Sequence, residues 1–182
     1  MDDGLLRYSD LLDELGLDRL TARAEVAAEL GAEAYSTCSF GAVFVEVRVD
    51  PDLGVVRVKR LLGAYDIGRV VNPKLARSQA LGGLIAGVGM ALLEQADWDA
   101  RTGHLMNPDL AEYLVPVCAD IGSVDCLFVP SHEPTFTGLG VKSVAQLVLT
   151  GVAPAIGNAI FHATGHRLRS FPIRVENLLD PR

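Results

Sequence analysis

Cysteine is scarce. Cys38, Cys118 and Cys126 are the full complement, odd in number and without C-x-x-C spacing. A disulfide framework and a structural zinc site both fit that poorly, and a reducing cytoplasm fits it well. Excess positive charge is also missing. The 16 Lys and Arg stand against 23 Asp and Glu, for a formal net charge of −7, which argues against a nucleic-acid binder that works by neutralising phosphates. The start, Met-Asp-Asp-Gly, is acidic and polar, unlike a signal or transit peptide. The uncharged stretch 80–93 is shorter than a bilayer span and is interrupted by four glycines. The expectations are a cytoplasmic protein with neither nucleic acid nor membrane as partner. P-loop spacing, a dinucleotide fingerprint and a nucleophile elbow are all lacking.

What is present is enough apolar material for a core. Of 182 residues, 49% are hydrophobic and 21% charged, which suits one folded domain rather than a disordered chain. The mean hydropathy of +0.28 is high for a soluble monomer and points to a covered partner surface or an apolar pocket.

The periodicities divide the chain. Leu5, Leu6, Leu11, Leu12 and Leu15 recur at helical spacing over 4–18. Residues 19–30 alternate like a strand but have the composition of a helix. Val43, Val45, Val47 and Val49 alternate with Ala42, Phe44, Glu46 and Arg48, and Asp50 to Gly54 is a turn, so 40–66 predicts a β-hairpin. Asn72-Pro73 starts a helix predicted to run to about residue 95, with a small-residue stripe at Ala76, Ala80, Gly83 and Gly87. A loop or short hairpin is expected around Gly103, a short strand over 112–117, a buried strand over 124–129 and a loop over 132–139. A second helix is predicted over 150–164, closed by Gly165, with its own stripe at Ala155, Ala159 and Ala163. The two striped helices are expected to pack together. The whole is expected to be one domain, 1–182, with 1–35 as N-terminal helix and lead-in.

Four groups of residues could carry chemistry, and each has a plainer reading. Gln79 offers two amide donors and one acceptor beside Gly82 and Gly83, where a flat ring could approach the backbone. Close helix packing beside a solvated glutamine explains the same residues. The loop from Gly138 through Gly140 and Lys142 to Gln146 resembles an anion-binding loop, or is an ordinary lead into a helix. His162 and His166 have metal-ligand spacing, but Gly165 is expected to end the helix between them and make them diverge. Asp109, Glu112, Tyr113, His132 and Glu133 would do acid–base work only if they converged, and solvated surface is their default.

Taken in order, four stretches resemble the C-terminal part of the large, molybdopterin-binding subunit of the xanthine dehydrogenase/aldehyde oxidase family. They are Phe40 to Asp50; Tyr65-Asp66-Ile67-Gly68-Arg69-Val70-Val71-Asn72-Pro73 followed by Gln79 and Gly82-Gly83; Asn107 to Asp120; and Gly140-Val141-Lys142-Ser143 followed by Gly151 to Ala159. The resemblance implies an α+β fold. Its parts are a twisted mixed sheet with a β-hairpin and two long packed helices, as in the C-terminal molybdenum-cofactor-binding domain of molybdenum hydroxylases. It implies that Gln79, Gly82, Gly83, Gly140 and Lys142 stand at cofactor-binding positions, and that Phe136, Tyr113 and Glu133 line a substrate pocket. In the family a glutamate stands where this chain has Gln146. It acts as the general base in hydroxylating an aldehyde or N-heterocycle.

An amide has no useful basicity near neutral pH, and family subunits are several times longer than this chain. Three readings follow. One is a stand-alone, molybdenum-free enzyme with no cofactor. It would be a homo-oligomer in which Gln146 helps a non-redox isomerisation, cyclisation or dehydration of a small apolar organic substrate. Another is a subunit of a split molybdenum hydroxylase, completing a molybdopterin site with a partner chain. A non-catalytic binding or assembly protein is the third possibility.

Overall fold

The computed structural model describes residues 7–25, 38–131 and 139–179. The chain divides into two units, 1–30 and 31–182. In the first, α1 (Tyr8–Leu15) ends at Gly16 with φ 61°. There the N–H groups of Gly16 and Leu17 donate to the carbonyls of Asp13 and Leu12, a helix end that satisfies otherwise orphaned acceptors. The predicted helix over 4–18 is thus shorter within the described residues. Residues 19–25 are neither helix nor strand, and 26–30, the rest of the ambiguous 19–30 stretch, lies outside the described residues.

The second unit is built on the predicted hairpin. β1 (Phe40–Asp50) and β2 (Val55–Asp66) pair antiparallel. The Asp50 carboxylate holds the turn by accepting from the N–H groups of Asp52 and Leu53, each at 3.1 Å. Glu46 pairs with Arg60 but Val47 with Val58, so Lys59 is an extra residue in β2, a β-bulge that sharpens the local twist. β3 (Ile121–Phe128) runs parallel to β2, giving a mixed sheet in the order β1-β2-β3. The expected strand over 112–117 is absent. Asp109 instead folds that segment into turns, its carboxylate accepting from the Ala111 N–H at 2.9 Å and its carbonyl from the Tyr113 N–H at 2.8 Å. The short hairpin around Gly103 survives as one bridge between Trp98 and Leu105.

Helix α2 (Pro73–Leu92) starts as predicted, with the Asn72 side chain accepting from the Leu75 N–H at 3.1 Å and Pro73 in its first turn. It is followed after β3 by α3 (Ala145–Thr150), α4 (Val152–Thr164) and the short α5 (Glu176–Leu179). Ala80, Leu84, Val88 and Ala91 bury one side of α2. Its glycines are needed for close approach: a Cβ on Gly87 would lie 2.4 Å from Val152 Cβ, and one on Gly83 3.0 Å from Val148 Cβ. The partner stripe is not the expected one. α4 buries Val152, Ala153, Ile156, Gly157 and Ile160 rather than Ala155, Ala159 and Ala163, because the branched residues remove more apolar area from water. By length and composition α2 and the stretch 145–164 are each long enough to cross a bilayer, so the expectation from residues 80–93 needs correcting. Burial of one face of each is the arrangement of a core helix.

Candidate functional site

β2 ends at Asp66 and α2 begins at Pro73. The connector between them carries a second loop, 139–144, strapped along it. The Lys142 N–H donates to the Ile67 carbonyl at 2.9 Å, and the Arg69 N–H to the Gly140 carbonyl at 2.7 Å. Gly68 and Gly140 face each other with φ of 68° and 67°, backbone that side chains rarely adopt. A Cβ on Gly68 would lie 2.3 Å from the Gly140 oxygen.

Under the strap lies an ion pair, Lys142 Nζ to Asp66 Oδ2 at 2.8 Å, with both side chains 1% exposed. Asp66 Oδ1 also accepts from Ser131 Oγ and from the Gly68 N–H. Burial alone would raise the Asp66 pKa. The hydrogen bonds from Lys142, Ser131 and Gly68, with the lysine charge, outweigh it and hold the carboxyl at about 2. Such a pair is costly to bury and more costly to break, so it works as a clamp joining three segments far apart in sequence.

The clamp decides where the next residues go. α3 begins three residues after Lys142, which puts Gln146, exposed, in its first turn. α3 packs on α2 at Gly83, whose added Cβ would meet Val148 and, at 3.5 Å, the Ala145 carbonyl. Gln79, Gly82 and Gly83 share one face of α2, and Gln79 and Gly82 are exposed. Above Gly82 an added Cβ would meet nothing within 4 Å. An amide side chain and the bare backbone of Gly82 thus lie in the middle of α2, and a second amide, Gln146, is in the first turn of the helix that packs there.

The other expected residues fall elsewhere. Lys142 is turned inward onto Asp66, and the Gly140 carbonyl is taken by Arg69, so neither offers these groups to a ligand. They position the loop. Tyr113 donates to Glu94 Oε2 at 3.2 Å, and its pKa is raised by burial and by Glu94. That contact is beyond the C-terminal end of α2, about 20 Å along the axis from Gln79 at 1.5 Å per residue, so Tyr113 does not join Gln146. His132, Glu133, Phe136 and Gly138 lie outside the described residues. Asp109 is committed to its turn and Glu112 is exposed. His162 and His166 are exposed on either side of Gly165, which ends α4. Among the described residues, no three His, Cys, Asp or Glu side chains gather as metal ligands. A cavity of about 500 Å³ also lies at the far end of α2, among Val88, Leu92, Asn107, Leu114 and Ile173.

Sequence reasoning misses the roles of Asp66, which lies inside the second motif, and of Ser131. A carboxylate between the apolar neighbours Tyr65 and Ile67 at a strand end was the one available signal for the first. The second carried none, since its partner lies 65 residues away.

A family model described as the molybdopterin cofactor-binding domain matches residues 15–122, more than half of the chain. The chain belongs to this family. It is 41% identical over 162 residues to the aldehyde oxidoreductase molybdenum-binding subunit PaoC of Escherichia coli, a match covering 89% of this chain and 22% of that protein. It is 36% identical over 142 residues to the putative xanthine dehydrogenase molybdenum-binding subunit XdhA of the same organism, covering 78% and 19%. The aldehyde oxidoreductase of Desulfovibrio gigas superposes with a TM-score of 0.70 at 29% identity, over 78% of this chain and 15% of that one. The module is thus a molybdopterin-binding module of the xanthine dehydrogenase/aldehyde oxidoreductase family, with the α+β architecture expected. It spans about a fifth of the length of these curated relatives. Their names speak of molybdenum-binding subunits, and the expectation of a cofactor-free chain draws no support from them.

Proposed function

We propose that this chain supplies one wall of a molybdopterin site in a molybdenum hydroxylase that oxidises an aldehyde or an N-heterocycle, the other wall coming from the rest of a molybdenum-binding subunit. One observation supports this reading: the loop held by the buried Asp66–Lys142 clamp leads into α3, which packs on α2 at Gly83, next to the bare backbone of Gly82 and one turn from Gln79. The residues present fit the group. The Gln79 amide can donate to and accept from the polar edge of a pterin, and the open space above Gly82 admits a flat ring to the backbone. When bound, molybdopterin supplies the two-electron redox chemistry of hydroxylation.

The chain's own residues orient and position. Gln79 holds the pterin edge, Gly82 keeps the approach clear, Gly83 lets α3 pack close beside it, and Asp66 and Lys142 fix the loop. The Gln146 amide can hydrogen-bond a substrate, but it cannot accept the proton that a carboxylate would take. The test is the molybdenum and pterin content of the assembled protein made in a cofactor-competent host. Near-stoichiometric loading, reduced at least tenfold by Gln79→Ala, is expected, and an assembly devoid of molybdenum would overturn the reading. Gln146 is the one observation that favours the second reading, a molybdenum-free protein promoting a non-redox step on an apolar substrate. The same measurement separates the two.

A further inference from the structure

We infer that the outer face of the sheet, which the helices leave bare, is the surface on which the remainder of the molybdenum-binding subunit docks. This rests on the reading that the chain is one wall of a molybdopterin site, and it names the surface through which the second wall arrives.

Strand residues alternate between faces. Val43, Val45, Leu61 and Tyr65 look toward the core. Phe40, Phe44, Leu62 and Leu127 stand on the opposite side, with 58%, 59%, 36% and 47% of their surface exposed. A sheet face left to water is normally polar, but this one is an apolar patch. Phe44 lies opposite Leu62, and Ala42, Ala64 and Leu127 form one row across all three strands. Charge is confined to the margins, as the Glu46–Arg60 pair and the Arg77–Asp125 pair. Contiguous patches of this kind mark interaction surfaces.

Two observations choose the occupant. First, the patch runs into the clamp. Phe40 pairs with Asp66 across the hairpin, and its ring centroid lies 6.0 Å from Lys142 Nζ. A body that closes the site beyond loop 139–144 therefore meets these phenyl rings. Second, the relatives are molybdenum-binding subunits of which this chain matches about a fifth. The complementary body is several times larger than this chain, enough to bury the roughly 800 Å² per partner of a stable interface. A second copy of this chain would have to compete for the same face.

The experiment is a thiol footprint on the full chain with Cys38→Ser and Cys118→Ser, which leaves only the buried Cys126. Phe44→Cys and Leu127→Cys are labelled with a maleimide, in the chain alone and in the assembly recovered through a tag on this chain. Thr102→Cys, at an exposed turn, normalises the rates. Labelling at 44 and 127 is expected to be at least tenfold slower in the assembly than in the chain alone, with 102 unchanged. Equal rates at 44 and 127, or no assembly at all, would overturn the inference. So would protection of the isolated chain that grows with its own concentration, which assigns the face to a second copy. In parallel, the Phe44→Asp/Leu127→Asp double variant is expected to lose the assembly at least tenfold while keeping the melting temperature of the isolated chain; full retention in the assembly would also overturn it. An assembly that protects the face but carries no molybdenum defeats the cofactor reading and leaves the docking surface standing. A molybdenum-loaded assembly with an unprotected face does the reverse.

Discussion

Asp66 shows how one side chain organises a site it does not itself present. Replacing it with asparagine leaves the Lys142 ammonium buried without its counter-charge, so Asp66→Asn is expected to cost about 3–5 kcal/mol of stability in chemical denaturation. Asp66→Asn/Lys142→Met, which removes both charges, is expected to recover most of that loss. The wild-type pair also sets an acid limit. The folded Asp66 carboxyl titrates at about 2, below the value of about 4 in an unfolded chain. Its contribution, roughly 2 kcal/mol, is complete above pH 4 and lost as pH falls toward 2. Unfolding free energy measured between pH 6 and pH 2 checks this, with the charge-free double variant showing a flatter profile. Tyr65 behaves oppositely. Its ring is wholly buried and lies against Gly41 and Gly63, while its hydroxyl has no hydrogen-bond partner among the described residues. Burial, then Cys126, push its pKa up to about 12. Tyr65→Phe therefore gives up no hydrogen bond, and a melting temperature equal to or above wild type is expected. At Gln146, a carboxylate would restore proton-accepting capacity. In the molybdenum-loaded assembly, Gln146→Glu is expected to raise the hydroxylation rate by about 10²-fold or more, the usual scale of general-base catalysis, read by steady-state turnover of an aromatic aldehyde.

The glycines of α2 separate packing from access. Gly87 is pressed against Val152, so Gly87→Ala overpacks the contact between α2 and α4 and is expected to destabilise by about 1–3 kcal/mol. Gly82 has open space above it. Gly82→Ala is expected to stabilise the isolated chain by up to about 1 kcal/mol through helix propensity, while lowering pterin content in the assembly. Thermal melts and pterin fluorescence on the two variants test this. Equal pterin retention in Gly82→Ala would remove that glycine from the site. α3 differs from α2 in legibility. Its six residues carry no side-chain cap, and it exists because the clamp brings the chain onto α2 at Gly83.

For the whole molecule, the proposed docking face and the proposed site wall imply one shared partner. A partner that binds only the folded chain stabilises it by mass action, about 2.7 kcal/mol when present at 100 times its dissociation constant. The melting transition of this module is accordingly expected to move upward, and with partner concentration, in the assembly. A transition independent of the partner would argue that the two do not share an interface.

The hairpin, the start of α2 and the Gly165 end of α4 could be read directly, because period-2 alternation, an Asn-Pro cap and a C-terminal glycine act within a few residues of chain. So could the family, since its motifs are strings of neighbours. The absent 112–117 strand could not, because a turn held by Asp109 competes with a run of apolar residues that looks extended. The packing face of α4, the inward turn of Lys142, the distance of Tyr113 from Gln79 and the pairing of Ser131 with Asp66 were decided only when the chain closed on itself. Each depends on residues many positions apart, and burial energy chose among local patterns that were individually permissible.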